Sequence, residues 1–301
     1  MCKKTIYFDC GNSQNKILID DRKVVTTSNI EIVDSQTFGA WEVNGVSFIN
    51  SEIAKTKKVT NKLCESRKLL IARNLFDLVE DKSKVSLSVL LPISQYLNKE
   101  NRETFAGMIK GKYKVTNSEG HTKSFSIDSV DIKCEEFVAL LTNPKLLQDT
   151  CYTIGVGSVD TSIFQVAGGV PNTNKIHTSE NGISWFYDGL GRVLTSHLKE
   201  TYTLQDARLV YKKYDALDDE LKAIIDKYAT DYIEKYIVEP LQELGFRKLV
   251  HRAIINGGGS LDLKRYIDKL GYFTYLDDSL FSNVIGSKIL DQQKALKKAG
   301  K

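Results

Sequence analysis

Thr5-Ile-Tyr-Phe-Asp9-Cys-Gly11-Asn-Ser13-Gln-Asn-Lys16-Ile-Leu-Ile-Asp20 reads as an apolar strand, a turn of glycine and small polar residues, and a second apolar strand. The pattern returns at Cys151-Tyr-Thr-Ile-Gly155-Val-Gly157-Ser-Val-Asp160-Thr161-Ser-Ile-Phe-Gln-Val166. Backbone N–H groups converge in such turns and can cradle an anion, as the first turn of a helix does. Two of them in one chain point to a clamp on a single polyphosphate. A third glycine cluster, Ile254-Ile-Asn256-Gly257-Gly258-Gly259-Ser260, lies far downstream and suits the rest of a nucleotide.

Working outward from the first hairpin, the segment to about Asn50 alternates strand-like runs with turns, Asn44-Gly45 being a strong hairpin signal. Residues 61–80 place Leu63, Leu70, Ile71, Leu75, Leu78 and Val79 mostly on a helical stripe. Lys84 to Leu91 reads as a buried strand ending at Pro92, Ser94 to Gly111 as helix, and Lys112 to Lys133 as short strands turning at Asn117 and Gly120. Glu135 to Leu141 reads as a short helix crossing toward a second domain. After the second hairpin, Gly189-Leu190-Gly191-Arg192 reads as a glycine-marked turn entering a helix. Residues 219–238 form the clearest amphipathic helix, through Leu221, Ile224, Ile225, Tyr228, Tyr232 and Tyr236. Leu249 to Ile255 reads as a strand, with Ser260 capping a helix through Leu270 and Gly271 just past its end. A last helix runs from about Leu280 to Leu296, and its basic end is a solvated tail.

The 301 residues exceed one typical core and imply two domains. Hydrophobic residues at 42% and charged residues at 27% are ordinary for a globular chain. The apolar run from Val85 to Ile93 is far too short for a bilayer, so no membrane role is expected. Met1-Cys2-Lys3-Lys4 leads into a strand rather than a signal-peptide core, so the sequence reads as cytoplasmic. Five cysteines without a CxxC pair read as reduced thiols, and four scattered histidines offer no zinc spacing. A net charge of +4 from nearly balanced signs does not indicate direct nucleic-acid binding.

In order along the chain, Asp9-x-Gly11-Asn-Ser13 with Lys16, the second Gly-Ser-Thr hairpin, Gly191-Arg-x-Leu-Thr195 and Gly257-Gly-Gly-Ser260 resemble the actin-like ATPase superfamily. Within it the chain is similar to the plasmid-segregating bacterial actins of the ParM type. Val89-Leu-Leu-Pro92-Ile-Ser-Gln-Tyr96 resembles that group's strand-to-helix step, and Asp278-Ser-Leu-Phe-Ser-Asn283-Val-Ile-Gly286 its carboxy-terminal close. The resemblance implies an α/β chain of two related actin-like (ribonuclease H-like) domains flanking a nucleotide cleft, each a mixed five-stranded sheet with helices. Domain I would be residues 1–148, with the helix at about 280–297 packing back on it. Domain II would be residues 149–279.

By the same resemblance, Asp9, Gly11, Asn12, Ser13 and Gln14 match the first phosphate motif, and Lys16 its phosphate-contacting lysine. Gly157, Ser158 and Thr161 match the second phosphate loop, and Gly257, Gly258 and Gly259 the adenosine motif. Gly191 and Arg192 match a helix start near base and ribose. Glu135 falls where the family orients the attacking water, although Glu136 beside it leaves the choice open. A first-turn glutamate favoured by the helix dipole is the plainer reading of either. The family's second loop begins with an aspartate near the metal. Here Gly155 stands there, which leaves three readings open: slower hydrolysis, a rewired metal shell, or the role taken over by Asp160. Asp160 reads either as a turn residue or as a replacement metal contact beside Asp9. Trp185-Phe186-Tyr187 reads either as core or as a subunit contact.

The function that follows is a filament-forming ATPase using ATP (or GTP) and Mg2+. It would polymerise with itself, hydrolyse after assembly, and move plasmid DNA through a small DNA-binding adaptor at the centromere. The alternatives are a small-molecule kinase of the same fold and a structural nucleotide-binding filament protein with little hydrolysis.

Overall fold

The computed structural model describes residues 5–52, 54 and 61–300. The reading of Met1-Cys2-Lys3-Lys4 lies outside them. The chain divides into two compact units, Met1–Thr142 with Leu280–Lys301, and Asn143–Ser279.

The first unit is built on a nine-stranded sheet ordered β3-β2-β1-β7-β9-β8-β5-β6-β4. Its strands are β1 Thr5–Cys10, β2 Gln14–Ile19, β3 Arg22–Thr27, β4 Ile30–Ile32, β5 Trp41–Val43, β6 Val46–Asn50, β7 Lys84–Leu91, β8 Gly111–Thr116 and β9 Thr122–Cys134. β1 runs antiparallel to β2 and parallel to β7, and β7 runs parallel to β9. The central β7 is covered on both faces, which is why its sequence is almost continuously apolar. Asn44 and Gly45 both take the left-handed φ that a tight β5–β6 hairpin needs. Helices α1 Glu65–Leu78, α2 Ile93–Tyr96 and α3 Lys99–Ile109 cover the sheet. The side chain of Asn98 caps α3 by accepting from the N–H groups of Glu100 and Asn101. Phe8, Ile17, Leu70, Leu75, Val89 and Phe105 lie at the centre of the core. The C-terminal helix Ser282–Ala299 packs against the 3-10 turn Val138–Thr142. Buried Lys133 on β9 secures it, donating to the Ser287 carbonyl at 3.0 Å and pairing with Asp291 at 2.6 Å.

The second unit holds a five-stranded sheet, β12-β11-β10-β13-β14. Its strands are β10 Cys151–Val156, β11 Thr161–Ala167, β12 Val170–Ser179, β13 Arg252–Asn256 and β14 Phe273–Tyr275. The pairing senses repeat those of β3-β2-β1-β7-β9: two antiparallel steps, then two parallel ones. Helices α4 Ile183–Leu198, α5 Leu204–Lys212, α6 Asp219–Ile233, α7 Glu239–Glu243, α8 Gly258–Asp262 and α9 Lys264–Leu270 complete it. Phe186 of α4 is fully buried among the rings of Tyr187, Tyr211, Tyr228 and Tyr232, which lie 5.2–5.4 Å away. Phe186 and Tyr187 are therefore core residues, whereas Trp185 is exposed.

Six expectations are corrected here. The first unit's sheet has nine strands rather than five, because β8, β5, β6 and β4 extend it beyond β9. Gly191 and Arg192 do not start a helix; they lie in the interior of α4, which begins at Ile183. A Cβ at Gly191 would sit 2.8 Å from the Tyr202 carbonyl, so this glycine marks a close approach of chain segments. Ser260 is the third residue of α8, with Gly257 before it at φ +90, and its hydroxyl donates back to the Gly257 carbonyl at 2.7 Å. Leu249 and Val250 are exposed turn residues, and the strand starts only at Arg252. Glu135 does not open a helix: it follows β9 in a tight turn in which Glu136 takes φ 54. The amphipathic stripe of 219–238 is helical to Ile233, then widens into a π turn over Glu234–Val238 just before Pro240, which offers no N–H to the ladder.

Candidate functional site

In the first unit, β1 delivers Asp9 to the mouth of the hairpin turn, with Lys16 directly opposite on β2. Asp9 is buried. Its Oδ2 accepts from the Asn283 amide at 3.3 Å, and its Oδ1 lies 3.7 Å from the Lys62 Nζ. The same Nζ donates to Glu135 Oε1. Burial favours the neutral Asp9 carboxyl, but Lys62 and Lys16, with the Asn283 amide, outweigh it and hold Asp9 below the usual carboxylate range. Burial likewise works against the Lys62 ammonium, and Glu135 and Asp9 outweigh it in turn, raising its pKa. The pair therefore stays ionised.

The turn itself is held from behind. Arg67 of α1 is almost wholly buried and donates through Nη1 to the Gly11 carbonyl at 2.8 Å and through Nη2 to Asn12 Oδ1. The Ser13 carbonyl accepts from the Ser28 N–H at 3.0 Å, and the buried Asn15 amide donates to Thr26 and Thr27 of β3. Ser13 and Gln14 are exposed at the tip. Asn283 links two parts of the site, since its Oδ1 accepts from the Glu136 N–H at 2.9 Å while its amide reaches Asp9. The Glu135 N–H is fixed on the Leu91 carbonyl at 2.9 Å. The Cys10 thiol is pushed up to about 12 by burial and is chemically inert.

In the second unit the turn 157–160 is closed by the Gly157 N–H donating to the Asp160 carbonyl at 2.8 Å. Its other carbonyls satisfy the start of α4: Gly182 N–H donates to Val159, Ile183 N–H to Gly157 and Ser184 N–H to Ser158, at 2.8–3.0 Å. Ser158 and Ser184 share a hydroxyl contact of 3.0 Å. Thr161 is fully buried and donates to the Asn181 carbonyl at 2.9 Å. Gly257 approaches β10 so closely that a Cβ would lie 2.6 Å from the Val156 carbonyl, and Gly259 packs on the Val156 and Ile183 side chains, whereas Gly258 faces open space. Arg192 is exposed, 3.1 Å from Asp188 and over the Trp185 ring, which is what an ordinary helix surface does.

The chemistry of the first turn fits a phosphate. Lys62 and Lys16 flank Asp9 while Arg67 braces the turn beside it, and a carboxylate near phosphate oxygens suits a divalent cation held through water. Neither Asp9 nor Asp160 belongs to a preformed metal cage: among the described residues no group of three or more histidine, cysteine or carboxylate side chains converges. Sequence reasoning missed Lys62, Arg67 and the linking role of Asn283. Arg67 left a faint signal as a charge one turn before Leu70 and Ile71 on an apolar stripe. Lys62, outside any element, left none.

No family model matches the chain, and no curated protein matches it. Solved structures do match. Ta0583, an archaeal actin homolog, superposes with a TM-score of 0.79 at 14% identity, over 97% of this chain and 99% of that one. The apo pSK41 ParM protein gives a TM-score of 0.73 at 18% identity over 99% of each chain. The ParM of a 15-stranded filament from Clostridium botulinum gives 0.76 at 17% identity, over 98% of this chain and all of that one. The chain has the two-domain actin-like fold of these proteins.

Proposed function

We propose that this protein is an actin-like, nucleotide-driven filament protein that binds ATP or GTP with Mg2+, assembles with copies of itself and hydrolyses the nucleotide after assembly. The observation that carries the reading is the buried Asp9–Lys62–Glu135 cluster at the mouth of an Arg67-anchored glycine turn. Two similar structures support it by their descriptions: Ta0583 has been solved in complex with ADP, and the Clostridium botulinum ParM as a filament. Movement of plasmid DNA through a DNA-binding adaptor belongs to the same proposal and rests on the ParM-like fold alone.

The turn residues Gly11, Asn12, Ser13 and Gln14 with Lys16 would hold phosphates from the first unit. In the second unit, Gly157 and Ser158 are the candidate phosphate contacts and Gly258 the candidate nucleoside contact. Asp9 would hold the divalent cation through water. A bound divalent cation offsets charge on the transferring phosphoryl group. Glu135 accepts a hydrogen bond from the attacking water and orients it. That oxygen forms the new bond to the γ-phosphorus as the bond to the β–γ bridging oxygen breaks. The diphosphate leaves with that electron pair, and the proton of the water ends on the released phosphate. Arg67 keeps the turn carbonyl at Gly11 turned inward, so that the tip faces outward.

A second reading, a filament protein with little hydrolysis, is favoured by Gly155, which stands where the first hairpin carries Asp9. Light scattering with ATP, GTP or a non-hydrolysable analogue, each with magnesium, separates the two. The active reading expects nucleotide-dependent scattering that decays as phosphate is released. Persistent scattering without phosphate release selects the second reading, and no nucleotide-dependent scattering overturns both.

A further inference from the structure

The position of Lys62 is determined from several directions at once. Its N–H donates to the Gln95 side chain at 3.1 Å, and its carbonyl accepts from the Cys64 N–H at 3.0 Å, so the backbone is pinned just before α1. The ammonium then reaches both Asp9 and Glu135, and all three side chains are at most one-tenth exposed. Two carboxylates enclosed this closely would repel each other and drive one toward protonation. A fixed ammonium between them lets both stay charged and leaves the flexible Glu135 side chain one stable place. It also distinguishes two adjacent glutamates: Lys62 engages the Glu135 carboxylate, whereas the Glu136 N–H is tied to Asn283.

We propose that Lys62 is a positioning residue of the phosphate site, which holds Glu135 beside Asp9 and thereby governs the hydrolysis step rather than nucleotide uptake. This rests on the nucleotide reading above. Small displacements of an orienting group are costly in rate, on the order of 10- to 100-fold, while contacts to the bound phosphates survive.

The test uses the full chain with ATP and magnesium, comparing wild type, K62M, E135Q and K62M/E135Q. Titration of a fluorescent ATP analogue gives affinity, single-turnover phosphate release gives the rate, and thermal melting reports the fold. K62M is expected to slow phosphate release by about 10- to 100-fold with affinity within about twofold of wild type. Because Lys62 acts through Glu135, K62M/E135Q should release phosphate within about twofold of E135Q. A K62M rate equal to wild type, a loss of affinity matching the loss of rate, or a double variant about tenfold slower than E135Q overturns the inference. Should K62M not fold, the more nearly charge-balanced K62M/E135Q against E135Q decides alone. A wild-type chain that takes up no purine triphosphate fails at the first titration and overturns the nucleotide reading, together with this inference.

Discussion

At the penultimate residue of its first strand the hairpin β1–β2 carries Asp9 opposite Lys16, where the hairpin β10–β11 carries Gly155 opposite Ser162. The backbones around them correspond: each first strand pairs antiparallel with its hairpin partner and parallel with a later strand. The first turn is held by ionised groups, with Lys62 buried between Asp9 and Glu135 and Arg67 buried against the Gly11 carbonyl and the Asn12 side chain. In the second, the carbonyls are spent on the start of α4 and the threonine on Asn181, with no lysine opposite Gly155. A buried charge is kept only where partners compensate it. One strand order thus carries two solutions, one charged and one neutral at the corresponding position of the first strand.

Removing the charge that anchors the first turn should have the largest effect. Arg67→Ala leaves the Gly11 carbonyl and the Asn12 side chain without their buried donor and removes a buried positive charge. A loss of about 1.5–3 kcal/mol in a urea titration is expected. A loss no larger than that of an ordinary surface substitution would break the contrast between the turns. The converse change imposes charge on the second turn. Gly155→Asp places a carboxylate on the buried strand β10, opposite Ser162 whereas Asp9 faces Lys16, and should cost roughly 1–3 kcal/mol. If magnesium and ATP restore the melting temperature and raise phosphate release above wild type, the missing carboxylate is what separates the two turns. Thr161→Val should cost only about 0.5–1.5 kcal/mol, because the Asn181 carbonyl keeps the Tyr232 hydroxyl at 2.6 Å; chemical denaturation measures it.

Acid should distinguish the turns most gently. Burial alone would raise the Asp9 carboxyl, yet Lys62, Lys16 and Asn283 depress it. A depressed carboxylate contributes stability above its unfolded pKa, about 3.9, and that contribution is lost as pH falls through the lower folded value. Melting curves taken from about pH 5 downward should therefore show a steeper acid limb for wild type than for Asp9→Asn. Parallel limbs would mean that Asp9 is not held ionised by its neighbours.

Much of this architecture was legible along the chain. The hairpins, the Asn44-Gly45 turn and the strand at Lys84 to Leu91 were read correctly, because their signals are local: alternation, an apolar run, a residue that tolerates left-handed backbone. The misreadings at Gly191 and Ser260 share one cause. A glycine in sequence can signal a turn, a helix end or a close approach, and only the neighbour decides among them. For Gly191 that neighbour is the Tyr202 carbonyl, eleven positions away. Glu135 and Glu136 were equivalent in sequence and became distinct only when Lys62 and Asn283 each reached one of them.

By itself the sequence determined two glycine-turn hairpins, the apolar strands behind them and the charge that each turn carries, since these depend on residues a few positions apart. The tertiary structure alone decided which charges meet. Lys62 lies 53 positions from Asp9 and 73 from Glu135, and Asn283 is 274 from Asp9. Coulomb interactions and hydrogen bonds depend on distance in space, and no local pattern records a separation that only the packing of helices on a sheet can close.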